Sequence, residues 1–377
     1  MSNSLITVKE VARQALPRLI ENLVFPSLIY RDYSNDFQAG KGNVIQIRKP
    51  VVLSAADFDA ENGVTPSPVS ESTVDVALDK LATVDVEFGA LESAADIDDL
   101  NRLFIEPAAA ALAEKINSDG LALFSDITNC TGTAGTTPDG LDDFACAAKV
   151  LNENKAPAAD RSGVWSPAAN AMFQQIPSLV NAEKSGSTRA LRSGAIGRVF
   201  GLDNYMAQGV KSYTSAGLTA GGTGASGMKV STAVTASLTV TAVSNATASG
   251  TLTGSLKKGD IVTIGTARRV LTADAAAADN AVTLTLNAPV TASAGDAIAV
   301  VAKGGEQNLV FHKNAFAFVT RPLSAPAGVE SYTTNYNGIC LRVCRGYDMK
   351  HKKDMLSMDV LYGYKTLYPE LAVRVLG

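Results

Sequence analysis

The most chemically suggestive spacing belongs to three glycines. Gly222, Gly224 and Gly227 stand in the GxGxxG arrangement, which cradles a pyrophosphate when it joins a strand to a helix. Here the glycines lead into a β-type run, and no acidic residue stands about twenty positions on to hold a ribose. A flexible linker is the stronger reading. A metal centre needs His, Cys or carboxylates at ligand spacing, and the two histidines, His312 and His351, fall on different elements. Cys340 and Cys344 are four apart on an expected strand, about 13 Å along it, too far to share an ion or a disulfide; they read as structural thiols. Asp57 with Asp59, or Asp142 with Asp143, could divide acid and base roles, but no histidine stands near either pair, so they read as loop and helix-start charges. The basic turn Lys350, His351, Lys352, Lys353 could meet phosphates or an acidic partner; a solvated hairpin tip is the simpler reading. GxxxxGK[ST], GxSxG and HExxH are absent. The expectation is therefore no catalytic residue, no cofactor and no metal, and a chain that is not an enzyme.

The elements around these residues are more informative. Residues 96–124 read as one long helix, because Ile97, Leu100, Phe104, Ala108, Leu112 and Ile116 recur at steps of three and four. Asp96 can cap it, Asp98, Asp99 and Glu106 lie early and Lys115 late, as the helix dipole favours. Pro107 should open a second helical segment within it. Ahead of this spine, residues 1–36 carry a helical pattern (Val8, Val11, Ala12, Ala15, Leu19, Leu23) broken by Pro17 and Pro26, which reads as an arm. From Gly42 the period becomes two. GNVIQIRKP is one strand, residues 74–79 and 83–88 are a further pair, and the Gly-, Pro-, Ser- and Asp-rich span between predicts a long hairpin with a mobile tip. Its return strands put Val74, Val76, Leu78, Val84, Val86 and Phe88 on one face and Asp75, Asp79, Asp85 and Glu87 on the other.

Past the spine, LDDFACAAKVLNENKAP is a helix with Asp139 before it and Pro157 after it. RSGVWSPAANAMFQQI is a short strand followed by a helix that Ser166 caps and Pro167 opens. Glycines 194, 197, 201 and 209 suit tight turns. Between Tyr213 and Phe311 there is no aromatic residue, yet MKVSTAVTASLTVTAV, GDIVTIG, RRVLTA, AVTLTLN and DAIAVVA have strand character. They predict a small all-β insert over about residues 214–305, opened by the flexible linker LTAGGTGASG and able to fold largely on its own. NLVFHKNAFAFVTRPL then resumes the parent domain. GICLRVCRGYDMKHKKDMLSMDVLYGYKTL makes two long strands, and AVRVL a last one.

With 46% hydrophobic and 19% charged residues over 377 positions, and a formal net charge of −4, neither a disordered tail nor a strongly basic nucleic-acid binder is indicated. The N-terminal residues lack a signal-peptide pattern and no run of eighteen apolar residues occurs, so secretion by the general route and a membrane span are not expected. Four cysteines without a CxxC pair point to reduced thiols in a cytosolic setting.

TVDVALDKLATVDVEFGALE running into the spine helix, LDDFACAAKVLNENKAP followed by RSGVWSPAANAMF, then SGAIGRVFGLDNY and NLVFHKNAFAFVTRPL form an ordered set of motifs. In this order the chain resembles the major capsid proteins of tailed double-stranded DNA bacteriophages, whose fold is named for phage Hong Kong ninety-seven. Within them it resembles the Salmonella podovirus coat proteins, to whose immunoglobulin-like or telokin-like insertion LKKGDIVTIGTARRVL is similar. The resemblance implies an α+β phage capsid fold with an N-terminal arm (1–37), an extended hairpin loop (38–92), a peripheral domain (93–138 and 339–377), an apical domain (139–213 and 306–338) and an all-β insertion domain (214–305). It also implies a structural protein that self-assembles into hexamers and pentamers of an icosahedral head, through a procapsid formed with scaffolding protein. The implied partners are further copies of the chain, scaffolding and portal proteins, a decoration protein, and packaged double-stranded DNA in weak non-specific contact, with no membrane. The implied location is the virion, assembled in the cytoplasm of the host bacterium. An encapsulin-type compartment shell is the alternative within the fold, and a carbohydrate-binding or enzymatic protein with a β accessory domain the alternative outside it. The row Asp75, Asp79, Asp85 and Glu87 would repel itself on adjacent strands, so these residues are expected to meet bases of a neighbouring subunit, with Arg102, Lys115, Arg342 and Lys365 as candidates.

Overall fold

The computed structural model describes residues 8–31, 44–48, 73–89, 105–186, 189–326, 328–336, 338–348 and 353–377. The helices that matter below are α1 (Val8–Asn22), α2 (Phe25–Leu28), α3 (Glu106–Leu121), α4 (Leu141–Glu153) and α5 (Pro167–Phe173). The first strands are β1 (Val44–Arg48), β2 (Thr73–Ala77), β3 (Lys80–Gly89), β4 (Cys130–Gly132), β5 (Arg161–Trp165), β6 (Arg198–Val199), β7 (Leu202–Met206) and β8 (Ser212–Tyr213). Next come β9 (Gly217–Thr223), β10 (Met228–Val230), β11 (Val234–Ser244), β12 (Ala248–Leu256), β13 (Ile261–Ile264), β14 (Ala267–Val270), β15 (Ala275–Ala276), β16 (Ala281–Ala292) and β17 (Ala297–Ala302). The chain continues with β18 (Gly305–His312), β19 (Phe316–Thr320), β20 (Glu330–Tyr336), β21 (Ile339–Asp348), β22 (Lys353–Thr366) and β23 (Ala372–Leu376). These elements divide between two compact units, one formed by Met1–Ile20, Tyr30–Leu112 and Phe316–Leu367, the other by Glu21–Ile29, Ala113–Ala315 and Tyr368–Gly377.

In the first unit the long strands organise the fold. β19, β22, β21 and β20 lie side by side and β3 joins along β22, all antiparallel. Leu356, Met358, Val360, Tyr362 and Tyr364 of β22 are buried with Phe316 and Phe318 of β19. The rings of Phe318 and Tyr364 stand 4.8 Å apart, a separation at which aromatic pairs attract beyond their buried area. β2 approaches β22 so closely that a Cβ on Gly363 would strike the Ala77 carbonyl, which accounts for glycine in the middle of a long strand. α1 buries Val11, Ala12, Ala15, Leu16 and Leu19 and exposes Arg13, Gln14, Pro17 and Arg18. It runs through Pro17, where the sequence predicts a break. Arg13 and Pro17 lie on the wet side, so the carbonyl that Pro17 leaves unbonded can be solvated. Arg18 reaches Glu106 at 3.2 Å, and Lys9 Nζ stands 6.0 Å from the Tyr332 ring centroid. The predicted spine helix is present from Glu106, with Pro107 in its first turn; residues 96–104 of that prediction lie outside the described residues.

The second unit centres on the sheet β4-β23-β18-β5-β7-β6. One side of it is closed by α4 and α5, where Phe144, Trp165 and Phe173 meet at ring separations of 4.4–5.0 Å over Val310, Val373 and Val375. Ser166 caps α5 as its sequence predicts, with Oγ accepting from the Ala169 N–H at 3.1 Å. Asn117 of α3 accepts from the amides of Val24 and Phe25, both at 3.2 Å, and so satisfies donors at the start of α2.

Residues 217–302 build two further sheets, β14-β13-β17-β10-β11-β16 and β15-β12-β9. Their inner faces share one core of Val, Leu, Ile, Ala and a single Met228, with Leu252 and Leu256 from the smaller sheet meeting Val240, Val262, Leu284 and Ile298 from the larger. LTAGGT, expected as a flexible linker, is instead strand β9, registered against β12 from Thr223 opposite Ala248 to Gly217 opposite Ser255. Gly222, at φ +115, lies where a Cβ would come within 2.7 Å of both Ala246 and the Ser249 carbonyl. Its glycine serves close strand pairing, and the GxGxxG spacing spans the link from β9 in the smaller sheet to β10 in the larger, with a strand and no helix behind it.

Candidate inter-subunit surface

β3 runs for ten residues along the margin of its sheet, and among the described strands it pairs only with β22. Among the described residues no strand covers its other edge, and an uncovered strand edge is the usual template for adding another chain. Period-two geometry places Leu81, Thr83, Asp85 and Glu87 on one face, and all four are exposed, Leu81 by 53%. Ala82 is buried and Val84 and Val86 half-buried on the other. The β1–β2 pair offers a second such surface, with Val44, Gln46, Thr73 and Asp75 exposed and Ile47 and Val76 buried. A two-stranded ribbon has little core of its own.

The structure distributes the eight expected contact residues unevenly. Asp75 is on β2, opposite Gln46 of β1. Asp79 is exposed in the two-residue link to β3. Asp85 and Glu87 are on β3, opposite Ser357 and Met355 of β22. Asp75 on the one hand and Asp85 and Glu87 on the other thus belong to two different sheets, with Asp79 in the link between them, because β2 pairs with β1 and β3 with β22 where the sequence suggests one continuous pair. Inside the subunit, Glu87 Oε2 already takes Lys353 Nζ at 2.7 Å, and Asp85 accepts from Thr83 Oγ1 at 3.2 Å.

Arg342 is committed within its own chain. Its Nε and Nη2 reach Asp359 Oδ2 at 3.0 and 2.5 Å, and Nη1 donates to the Ser324 carbonyl at 3.0 Å. Lys115 pairs with Asp119 one turn on, at 3.0 Å. Lys365 is exposed on β22, opposite Ala317. Arg102 lies outside the described residues, as do Asp57, Asp59, Lys350, His351 and Lys352.

The side chains considered for chemistry take structural places. Asp143 accepts from the amides of Asp139 and Gly140 at 3.1 and 3.3 Å, a cap for α4. Cys340 and Cys344 are buried on β21, and burial pushes both thiols up. His312 is buried at the end of β18; burial pushes its pKa down, and Nδ1 accepts from the Asn314 amide at 3.2 Å. Among the described residues no group of three or more His, Cys, Asp or Glu could hold a metal ion, and no helix is long and apolar enough to cross a membrane. Sequence reasoning missed Asp359 as the partner of Arg342, and it placed Lys353 in a basic turn without pairing it to Glu87. The one signal for Asp359 is its place in the alternating run MLSMDVLYGY, where a carboxylate sits among strand residues that become buried.

No protein-family model matches the sequence, and no curated protein does. Solved structures do match. A chain of Mycobacterium phage Che8 is similar over 94% of this chain and 90% of that one, at a TM-score of 0.54 and 18% identity. The capsid structure of cyanophage P-SCSP1u is similar over 94% and 88%, at 0.49 and 12%. The mature capsid of bacteriophage PhiM1 is similar over 94% and 86%, at 0.49 and 9%. The mixed α+β architecture expected from the sequence is the fold shared with the Che8 chain.

Proposed function

We propose that this chain is the structural major capsid protein of a tailed double-stranded DNA bacteriophage, and that its copies assemble as hexamers and pentamers into an icosahedral head. What carries the reading is the extent of the fold likeness to the Che8 chain, 94% of one chain on 90% of the other. Such coverage takes in nearly the whole of both chains, where a shared module would match only a part. The long edge of β3, which no described strand covers, and the thin β1–β2 ribbon support it, since both gain stability when a second copy covers them.

On this reading residues 1–37 are the N-terminal arm, 38–92 the extended loop, 93–138 and 339–377 the peripheral domain, 139–213 and 306–338 the apical domain, and 214–305 an insertion domain of the Salmonella-podovirus kind. The chain is not an enzyme. It works with scaffolding and portal proteins, touches packaged DNA weakly, and passes from the host cytoplasm into the virion. Asp75, Asp79, Asp85 and Glu87 face bases of a neighbouring subunit. Among the described candidates Lys365 is exposed and suited to receive them, whereas Arg342 and Lys115 have partners at home.

Size-exclusion chromatography with light scattering tests this. Particles of many subunits are expected, and a monodisperse monomer at high concentration would overturn the reading.

A further inference from the structure

The β module of residues 217–302 leaves and rejoins its parent sheet at one place, because Tyr213 of β8 is registered with Gly305 of β18. Two single-strand connections alone would let such a module swing. Asp260, just ahead of β13, is fully buried. Its Oδ1 accepts from Tyr213 Oη at 2.9 Å and from the Gly304 amide at 3.1 Å. Its Oδ2 accepts from Ser215 Oγ at 2.5 Å and from the Lys257 amide at 2.9 Å. Tyr213 and Ser215 belong to the outgoing connection, Gly304 to the returning one and Lys257 to the module. One carboxylate thereby ties both connections to the module's body.

β23 supplies the other half. It is buried along its whole length, and its side chains alternate. Val373 and Val375 join the helix-side core, while Leu376 packs with Ile261 and Val270 of the module. Arg374, on the Leu376 side, is wholly buried and donates from Nη1 to the Gly259 carbonyl at 2.7 Å and to Gln307 Oε1 at 3.3 Å. Its guanidinium lies 5.6 Å from the Phe124 ring centroid, and that ring stacks on Tyr213 at 5.8 Å. Burial lowers the Arg374 pKa to about 10, with Asp260 among the charges that oppose the fall, so the group is a cation at neutral pH. Gly259, at φ +99, closes the fit, since a Cβ there would stand 2.8 Å from Phe124.

We propose that Asp260 and Arg374 form a polar joint that fixes the β module to β23, so that module and parent sheet move as one body. A buried charged group that loses its hydrogen-bond partners is strongly destabilising, so the joint is either whole or open, and a displacement of β23 is carried into the module. The inference rests on bonds within one chain and is independent of what the chain assembles into.

Amide hydrogen exchange on the full-length chain tests it, comparing the parent with Tyr213→Phe, Asp260→Asn and Arg374→Met. In Asp260→Asn and Arg374→Met, exchange at Gly259 and Gly304 should rise by about tenfold or more, while amides of β11 and β16 keep their protection. Tyr213→Phe removes one donor and leaves the ring in place, so a smaller rise at Gly304 is expected; should the other two fail to fold, it decides alone. Exchange at Gly304 unchanged in every folded variant would overturn the joint, as would a parent protein whose Gly304 amide already exchanges like an open peptide.

Discussion

Arg342 and Asp359 face each other across β21 and β22, and two guanidinium nitrogens grip one carboxylate oxygen at 3.0 and 2.5 Å. The carboxylate side is only 7% exposed and the guanidinium side 18%. Such a pair is costly to break from one side, because the remaining ion stays out of water. Replacing Asp359 with Ala should therefore lower stability by about 3–5 kcal/mol, while the double replacement Arg342→Met with Asp359→Leu should cost less. Chemical denaturation of the three proteins checks this, and equal losses in single and double variants would contradict it.

The acidic residues of β2 and β3 give a test of assembly. Replacing Asp75, Asp79, Asp85 and Glu87 with their amides leaves shape nearly unchanged and removes charge. If they meet bases of a neighbour, each contact contributes about 0.2–1 kcal/mol, repeated at every subunit. Light scattering across a salt series should show assembly weakened at low salt with circular dichroism unchanged. Glu87→Gln alone should have less effect, since Lys353 neutralises Glu87 within the subunit. Assembly with an unaltered salt dependence in the fourfold variant would remove these residues from the interface.

His312 supplies a pH dependence with a definite sign. Burial holds its pKa below the ordinary 6.5, so on falling pH the unfolded chain takes up a proton before the folded one. The stability it contributes is complete above that ordinary value and is lost as pH falls toward the folded value. Protonation also removes the acceptor that Nδ1 offers to the Asn314 amide. Denaturation curves between about pH 8 and about pH 5 should fall more steeply for the parent than for His312→Gln. Parallel curves would contradict the assignment.

Thiol chemistry separates the cysteines. Cys146 is exposed on α4, whereas Cys340 and Cys344 are buried with raised pKa values. A thiol reagent applied to the native subunit should modify Cys146 first and reach β21 only on unfolding. Labelling of Cys340 at the rate of Cys146 would mean that β21 is not packed as described.

Much of the fold was legible because its signals are local. Pro107 marks the described start of α3, Ser166 and Pro167 open α5, and alternation in MKVSTAVTASLTVTAV and AVTLTLN announces β10, β11 and β16. Two local signals misled. Pro17 reads as a helix breaker, but its place on the wet face of α1 makes its missing bond tolerable. The glycines of LTAGGTGASG read as slack, but strand pairing needs them where β9 presses on β12. What no local pattern could give is pairing at long range. Asp75 and Asp85 look like one row until β2 is seen to pair with β1 and β3 with β22. Arg374 and Asp260, 114 positions apart, look like an ordinary strand arginine and an ordinary turn aspartate, because only the fold buries both where the module meets β23. Of the candidate contact surface, the charge alternation is a local pattern that the sequence displays, whereas the strand edges depend on long-range pairing that it does not.

The central claim, that this chain is a shell-forming capsid subunit, is tested most directly by electron cryo-microscopy of the purified protein. The account predicts closed shells, or at least five- and six-membered rings, in which β3 and the β1–β2 ribbon are covered by neighbouring copies. Dispersed single subunits at high concentration, with that edge and ribbon bare, would contradict it.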